Sequence, residues 1–323
     1  MAVGVRSSRR RNSRRECIAA LAGLALAGCS GKGKRKIAVI PKATSHMFWL
    51  TVQKGAFDAG REFNVEILWN GPASETDFSR QIQIVDSMVA QHVDGIAIAA
   101  AERKALVTSV ERATSANIPV TVFDSGLDST QYISYVATDN VEAGRLAART
   151  LIELLGGKGK VGVVMHAPGS ASTMDRERGF TEAMAAEGPD IQIVATQYGM
   201  SDRSKARAAA ENILTAHPDL NGMFASSEPS SIGASLAIQG RELKDKVILV
   251  AFDASDTMVE DLRSGAIDAM IVQDAHRMGY EAVKTIVDKL NGKTPPRRLD
   301  LRAVRVTAKD LGEPEVKRLL NLQ

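Results

Sequence analysis

Charged and amide side chains follow short apolar runs throughout this sequence. Lys42 comes after Ile37–Ile40 by way of Pro41, Asp124 and Ser125 close Val120–Phe123, and Thr138-Asp139-Asn140 close Ile133–Ala137. Further on, His166 follows Val161–Met165, Ser226-Ser227-Glu228 follow Gly222–Ala225, Phe252-Asp253 follow Val247–Ala251, and Gln273-Asp274 follow Asp268–Val272. These groups offer hydrogen bonds and charge. The patterns for other chemistry are missing: no G-x-x-x-x-G-K-[ST] loop, no G-x-G-x-x-G after the first run, no C-x-x-C, no H-E-x-x-H and no G-x-S-x-G turn. His46, His92, His166, His217 and His276 lack metal-ligand spacing. Catalysis is unsupported without being excluded, and no metal or cofactor is expected.

The runs themselves read as strands. Ile37–Ile40, Val65–Trp69, Gly95–Ala99, Val120–Phe123 and Ile133–Ala137 form one set of five. Val161–Met165, Ile191–Thr196, Gly222–Ala225, Val247–Ala251 and Asp268–Val272 form a second. Between them lie stretches of helical period, such as Gln81–Val89, whose apolar residues fall on one face. Continuous apolar strands alternating with helices predict parallel sheets covered on both sides, so the fold class is α/β with two doubly wound lobes. Gly156–Lys160 reads as a helix stop and turn, and no repeat of 20–50 residues points to a solenoid. Open sheets of this kind bind ligands beyond the carboxyl ends of their strands. Polar groups at those ends in both halves predict one pocket at the seam between the lobes.

The chain's 323 residues, 44% of them hydrophobic, suit two domains of about 150 residues each. The net charge of +3 comes from the first 28 residues, which hold six Arg and one Glu; without them 35 basic residues face 37 acidic ones. A nearly neutral body excludes a nucleic-acid footprint. Ile18–Ala27 is too short to span a membrane, which takes about 20 residues, but fits the core of an export signal. Leu26-Ala27-Gly28-Cys29 resembles the bacterial lipobox, which predicts a signal over 1–28, an acylated Cys29 and a cationic tether over 29–36. Ser13-Arg14-Arg15 leaves the Sec and twin-arginine routes both open. Cys17 would depart with the signal, leaving no internal disulfide.

Several motifs, in order and at matching spacing, carry a family resemblance. They include Ile37-Ala-Val-Ile-Pro with Phe48-Trp49 downstream, Val93-Asp-Gly-Ile96, Asn117-Ile-Pro-Val120 before Asp124, and Thr138-Asp-Asn140. Arg176-x-x-Gly179-Phe180, Leu214–Asp219, Val250-Ala-Phe-Asp253 and Gly265 with Gln273 follow. From residue 36 onward the chain resembles the periplasmic solute-binding proteins of bacterial ABC transporters, in the ribose-type (pentose/hexose) group. The resemblance implies the type I periplasmic binding fold with three hinge crossings. The lobes would be 36–138 plus 274–300 and 139–273 plus 301–323. It also implies a monomer that closes on a sugar or polyol and docks on an ABC permease in the cytoplasmic membrane, held outside the cytoplasm by the lipid anchor that the lipobox predicts.

A buried sugar needs a partner for each hydroxyl, because an unpaired one costs about 1–3 kcal/mol, and aromatic rings cover its C–H faces. By the resemblance Phe48 and Trp49 stack on the ligand, Asp124 clasps two hydroxyls with Ser125 beside it, and Arg176, Asp253 and Gln273 supply further hydrogen bonds. Ser227 and His46 stand where that group has ligand Asn residues. Other positions depart from it: Lys42 replaces a Ser, Ser125 an Arg, and Ser201 a Phe. Ile-Pro-Lys42, Asn70-Gly-Pro72 and Phe123-Asp-Ser125 are instead similar to the autoinducer-2/rhamnose-binding branch, in which Lys42, Asp124 and Asp175 would form a gripping trio. The alternative function is a sensory receptor presenting autoinducer-2 or a sugar to a membrane kinase or chemoreceptor.

Overall fold

In a computed structural model of the chain, residues 1–4 and 33–322 are described. Cys29, residues 5–28 of the proposed signal and residues 29–32 of the tether lie outside them. Among the described residues no helix is long and apolar enough to cross a membrane.

The first apolar run is strand β1 (Lys36–Ile40), followed by α1 (Met47–Glu62), β2 (Glu66–Trp69), α2 (Phe78–Ala90), β3 (Gly95–Ile98), α3 (Val107–Ser115), β4 (Val120–Phe123) and β5 (Ser134–Thr138). The second set holds α4 (Asn140–Leu154), β6 (Lys158–Met165), α5 (Ala171–Glu187), β7 (Asp190–Tyr198), α6 (Arg203–Ala216), β8 (Gly222–Ala225), α7 (Glu228–Gly240), β9 (Ile248–Phe252), α8 (Asp256–Ser264) and β10 (Ala269–Val272). Then come α9 (Ala275–Leu290), β11 (Arg298–Leu301), β12 (Val304–Val306), a 3-10 turn (Ala308–Gly312) and α10 (Pro314–Leu320).

Two six-stranded sheets result, ordered β11-β5-β4-β3-β1-β2 and β12-β10-β9-β8-β6-β7. Read from the other end, both run second, first, third, fourth, fifth strand and then a late edge strand, a doubly wound order. The fold class read from the sequence is therefore the one observed. The count of ten strands needs correcting to twelve. β11 and β12 are short, charged edge strands with half-exposed residues, and so lack the apolar run that marks the central ones. β12 is also antiparallel to β10, whereas β11 runs parallel to β5.

The chain passes between the sheets after β5, after β10 and between β11 and β12. At the first two passages an aspartate caps the next helix. The Asp139 side chain accepts from Glu142 N, and Asp274 accepts from Arg277 N.

Each lobe packs a helix pair at backbone distance through reciprocal glycines. A Cβ on Gly55 of α1 would lie 1.9 Å from the His276 carbonyl oxygen of α9, and one on Gly279 2.0 Å from that of Val52. In the other lobe, a Cβ on Gly144 of α4 would lie 1.9 Å from the Arg176 carbonyl oxygen, and one on Gly179 of α5 2.1 Å from that of Val141. No side chain fits there. These crossings fix α1 and α5, the helices that follow the first strand of each sheet and carry Phe48, Trp49 and Arg176 into the cleft.

Candidate functional site

The first side chains of the site are aimed by a shared backbone device. β4 ends in Phe123-Asp124 and β9 in Phe252-Asp253; both Asp residues take left-handed backbone angles, φ +53° and +72°. Asp tolerates that region better than most residues. In both cases the Asp N–H donates to the neighbouring strand, Asp124 to Val136 O and Asp253 to Ile271 O, each at 2.9 Å. The Phe is thereby left in the core and the carboxylate turned toward the cleft between the lobes. Both Asp side chains are nearly inaccessible.

They line a narrow pocket between the sheets, with Lys42, His46, Phe48 and Trp49 on the first lobe and Arg176, Ser227 and Gln273 on the second. Nine of the eleven ligand residues read from the sequence thus meet in one place. Trp49 stands edge-on to Phe48, with ring centroids 4.9 Å apart, and its indole N–H donates to Glu75 Oε1 at 2.8 Å. Lys42 Nζ lies 3.2 Å from Asp124 Oδ2 and 3.5 Å from Glu75 Oε2. It also donates to the Ser170 and Ser172 hydroxyls of the opposite lobe at 3.2 and 3.3 Å. Burial disfavours the Lys42 charge, but the two carboxylates outweigh it and raise its pKa. Burial also raises the Asp124 pKa, against the pull of Lys42 and Arg176.

Arg176 is buried with its guanidinium 3.5 Å from the centre of the Phe252 ring. Nε and Nη2 donate to Asn140 Oδ1 at 3.2 and 2.8 Å, and Nη1 to the Ser226 carbonyl at 2.5 Å. Burial lowers its pKa. A guanidinium carries five N–H groups, so one remains on each terminal nitrogen. Asp253 accepts from Glu228 N at 3.0 Å and from Gln273 Nε2 at 2.7 Å, while Gln273 Oε1 accepts from Thr138 Oγ1 at 2.5 Å. Ser227 Oγ is 3.0 Å from His166 Nδ1.

Two expectations need correction. Asp175 is half exposed on α5 and pairs with Arg178 at 2.8 Å. Successive helix residues point about 100° apart, so with Arg176 turned inward Asp175 faces outward. The trio of Lys42, Asp124 and Asp175 is therefore not assembled. Ser125 is buried, but its hydroxyl accepts from Ser172 N at 3.3 Å across the cleft and it does not line the pocket. Its backbone N–H folds back on the Phe123 carbonyl at 2.6 Å, in a turn that sends Asp124 and Ser125 different ways. Ser201 also lies outside the lining.

Glu75, His166, Ser172, Thr173, Glu228 and Pro229 line the pocket without having been assigned to it from the sequence. His166 and Glu228 do stand at strand ends, which was a usable signal. Glu75 sits six residues beyond β2, inside a polar loop, and its type alone marks nothing. Yet it is the most connected carboxylate present. Burial would raise its pKa, but Lys42 and the two histidines hold it well below the usual carboxylate range. Burial lowers the His46 pKa, and its hydrogen bond and attraction to Glu75 outweigh that and raise it.

The sequence matches the periplasmic binding protein domain family over residues 37–294. It is 30% identical to the D-ribose/D-allose-binding protein of Pseudomonas aeruginosa over 275 residues, 83% of this chain and 86% of that protein. Among solved structures it is similar to a carbohydrate transporter solute-binding protein from Agrobacterium radiobacter in complex with D-arabinose. That pair has a TM-score of 0.86 at 32% identity, covering 89% of this chain and 99% of the other. An ABC transporter solute-binding protein from Agrobacterium vitis with bound D-fucose gives TM-score 0.86 at 34% identity, covering 88% and 99%.

Proposed function

The chain belongs to the family of periplasmic binding protein domains, and we propose that it captures a neutral monosaccharide or related polyol for an ABC importer. It is a solute-binding protein and not an enzyme. One observation carries the choice of ligand: Asp124 Oδ2 is buried in the pocket lining, and among the described residues it meets only the Lys42 ammonium, at 3.2 Å, which is shared with Glu75 and two serine hydroxyls. An oxygen held by one shared ion-pair contact has room for a further donor. Across the same pocket, Arg176 has donors to spare and needs acceptors. A hydroxyl is both, so a polyol satisfies the two walls at once, whereas an anion leaves Asp124 unmet and an ammonium leaves Arg176 unmet. Phe48 and Trp49 offer apolar surface for the C–H faces. D-Arabinose and D-fucose in the structural neighbours agree with this chemistry.

Closure follows as a population shift, because a ligand that touches both lobes only in the closed form stabilises that form. The monomer would then present its closed rim to a permease. A thermal-shift screen against pentoses, hexoses, sugar alcohols and autoinducer-2 tests the ligand class. A true ligand at a hundred times its Kd stabilises the fold by about 2.7 kcal/mol. If no polyol raises the melting temperature and a charged metabolite does, the sugar reading is wrong.

The lipobox-like Leu26-Ala27-Gly28-Cys29 supports a lipid anchor that would hold the protein on a membrane outside the cytoplasm. Cys29→Ala is expected to move it from the membrane fraction to the soluble fraction on cell fractionation. Unchanged retention would count against the anchor.

A further inference from the structure

Glu75 lines the same pocket as Asp124 but is bonded in the opposite way. Its Oε1 accepts from Trp49 Nε1 at 2.8 Å and from His46 Nδ1 at 3.1 Å. Its Oε2 lies 3.0 Å from His166 Nε2 and 3.5 Å from Lys42 Nζ. A carboxylate has about four acceptor positions; hydrogen bonds from the protein fill three, and the Lys42 ammonium faces the fourth. Little is left for a ligand. Three of the partners, Lys42, His46 and Trp49, stand on the first lobe with Glu75 itself. The fourth, His166, ends β6 of the second lobe and is held from behind by Ser227 Oγ at 3.0 Å.

We infer that Glu75 is a positioning residue: it sets the ligand-facing side chains of the first lobe and ties them across the cleft to His166, without touching the ligand. The inference deepens the sugar-site reading and rests on it for the affinity part of its test. Both oxygens are needed at once. One orients the Trp49 ring and the His46 imidazole, and the other joins the lobes through a charge-assisted bond in a nearly dry site. Other links cross the cleft nearby, such as Phe48 N to Glu228 Oε2 at 3.0 Å, but it is Glu75 that also holds the Trp49 indole by its side chain.

The test compares the full chain with Glu75→Gln and His166→Ala by pulsed dipolar distance measurement between one spin label on each lobe, without sugar. Stopped-flow sugar binding accompanies it. Both variants are expected to shift the distance distribution toward the open form and to weaken binding at least tenfold, mainly through faster release. In Glu75→Gln the His46 ring resonances should also titrate at lower pH than in the parent, a signature that simple loss of packing does not produce. The groups facing His46 are Glu75 from the β2–α2 loop, Glu228 of α7 and Arg203 of α6; only the first changes. His166→Ala cuts the cross-cleft bond, and that to Ser227, while leaving the Glu75 contacts to Trp49 and His46 in place, so it carries the test if Glu75→Gln folds poorly. Unchanged distances together with binding within threefold of the parent would overturn the inference. Open variants in a protein that binds no sugar would leave it standing and refute the sugar reading instead.

Discussion

Arg176→Ala is expected to weaken ligand binding by about 2–5 kcal/mol, the usual loss when one partner of a buried charged hydrogen-bond set is removed. That is roughly 30- to 4,000-fold in Kd. The guanidinium's hydrogen-bond partners within the protein, Asn140 and the Ser226 carbonyl, are neutral, and it lies flat on Phe252. It is thus oriented rigidly while two N–H groups remain for the pocket. Arg176→Lys should recover little of the loss, because an ammonium cannot reproduce the planar fork. Asp124→Ala should cost a similar amount, since it deletes a buried carboxylate of the pocket lining and leaves the Lys42 ammonium opposite it without that partner. Titration calorimetry reads both. Losses under tenfold at each position would mean that the ligand is held elsewhere.

Gly144→Ala carries the largest expected effect on stability. The new Cβ would meet the Arg176 carbonyl oxygen at 1.9 Å, with Phe180 N at 2.8 Å behind it. Both atoms are backbone, so no side chain can swing aside and α4 must separate from α5. Overpacking of this kind costs about 3 kcal/mol. At about 2–4 °C per kcal/mol for chains near this size, the melting temperature falls by about 6–12 °C. Because α5 carries Arg176, ligand affinity should fall in the same variant. Gly312→Ala, where a Cβ meets nothing within 4 Å, is the control and should change stability by less than about 0.5 kcal/mol. Equal melting temperatures for the two variants would contradict the helix crossing.

The pH response of the cluster follows from the same contacts. The His46 pKa is raised above 6.5. Its contribution is therefore complete below that pH and lost as pH rises through the raised value. The Glu75 pKa is depressed, so its contribution is complete above 4.5 and lost only as pH falls well below that. Between those limits the cluster is fully formed.

What the sequence disclosed depended on how strongly each feature constrains local residue choice. Central strands buried on both faces must be apolar throughout, so β4 and β8 could be read to the residue. β11 and β12, half in solvent, could not. The Phe-Asp pairs at 123–124 and 252–253 were visible because a buried strand can turn polar only where it leaves the core. Arg176 and Asp175 were both suggested by resemblance, to two different branches, and the helix phase, fixed by the glycine crossing with α4, decides between them. Glu75 was invisible because its role is set by partners 26 to 91 residues away in the chain, on both lobes. No local pattern encodes such a meeting point.

The most direct measurement is a crystal structure of the chain with the sugar that stabilises it best. The account expects the sugar between the lobes, a ring hydroxyl donating to Asp124 Oδ2, others accepting from the free N–H groups of Arg176, and Glu75 bonded only to protein. A sugar bound outside the cleft, or one inside it that touches neither Asp124 nor Arg176, would contradict the account.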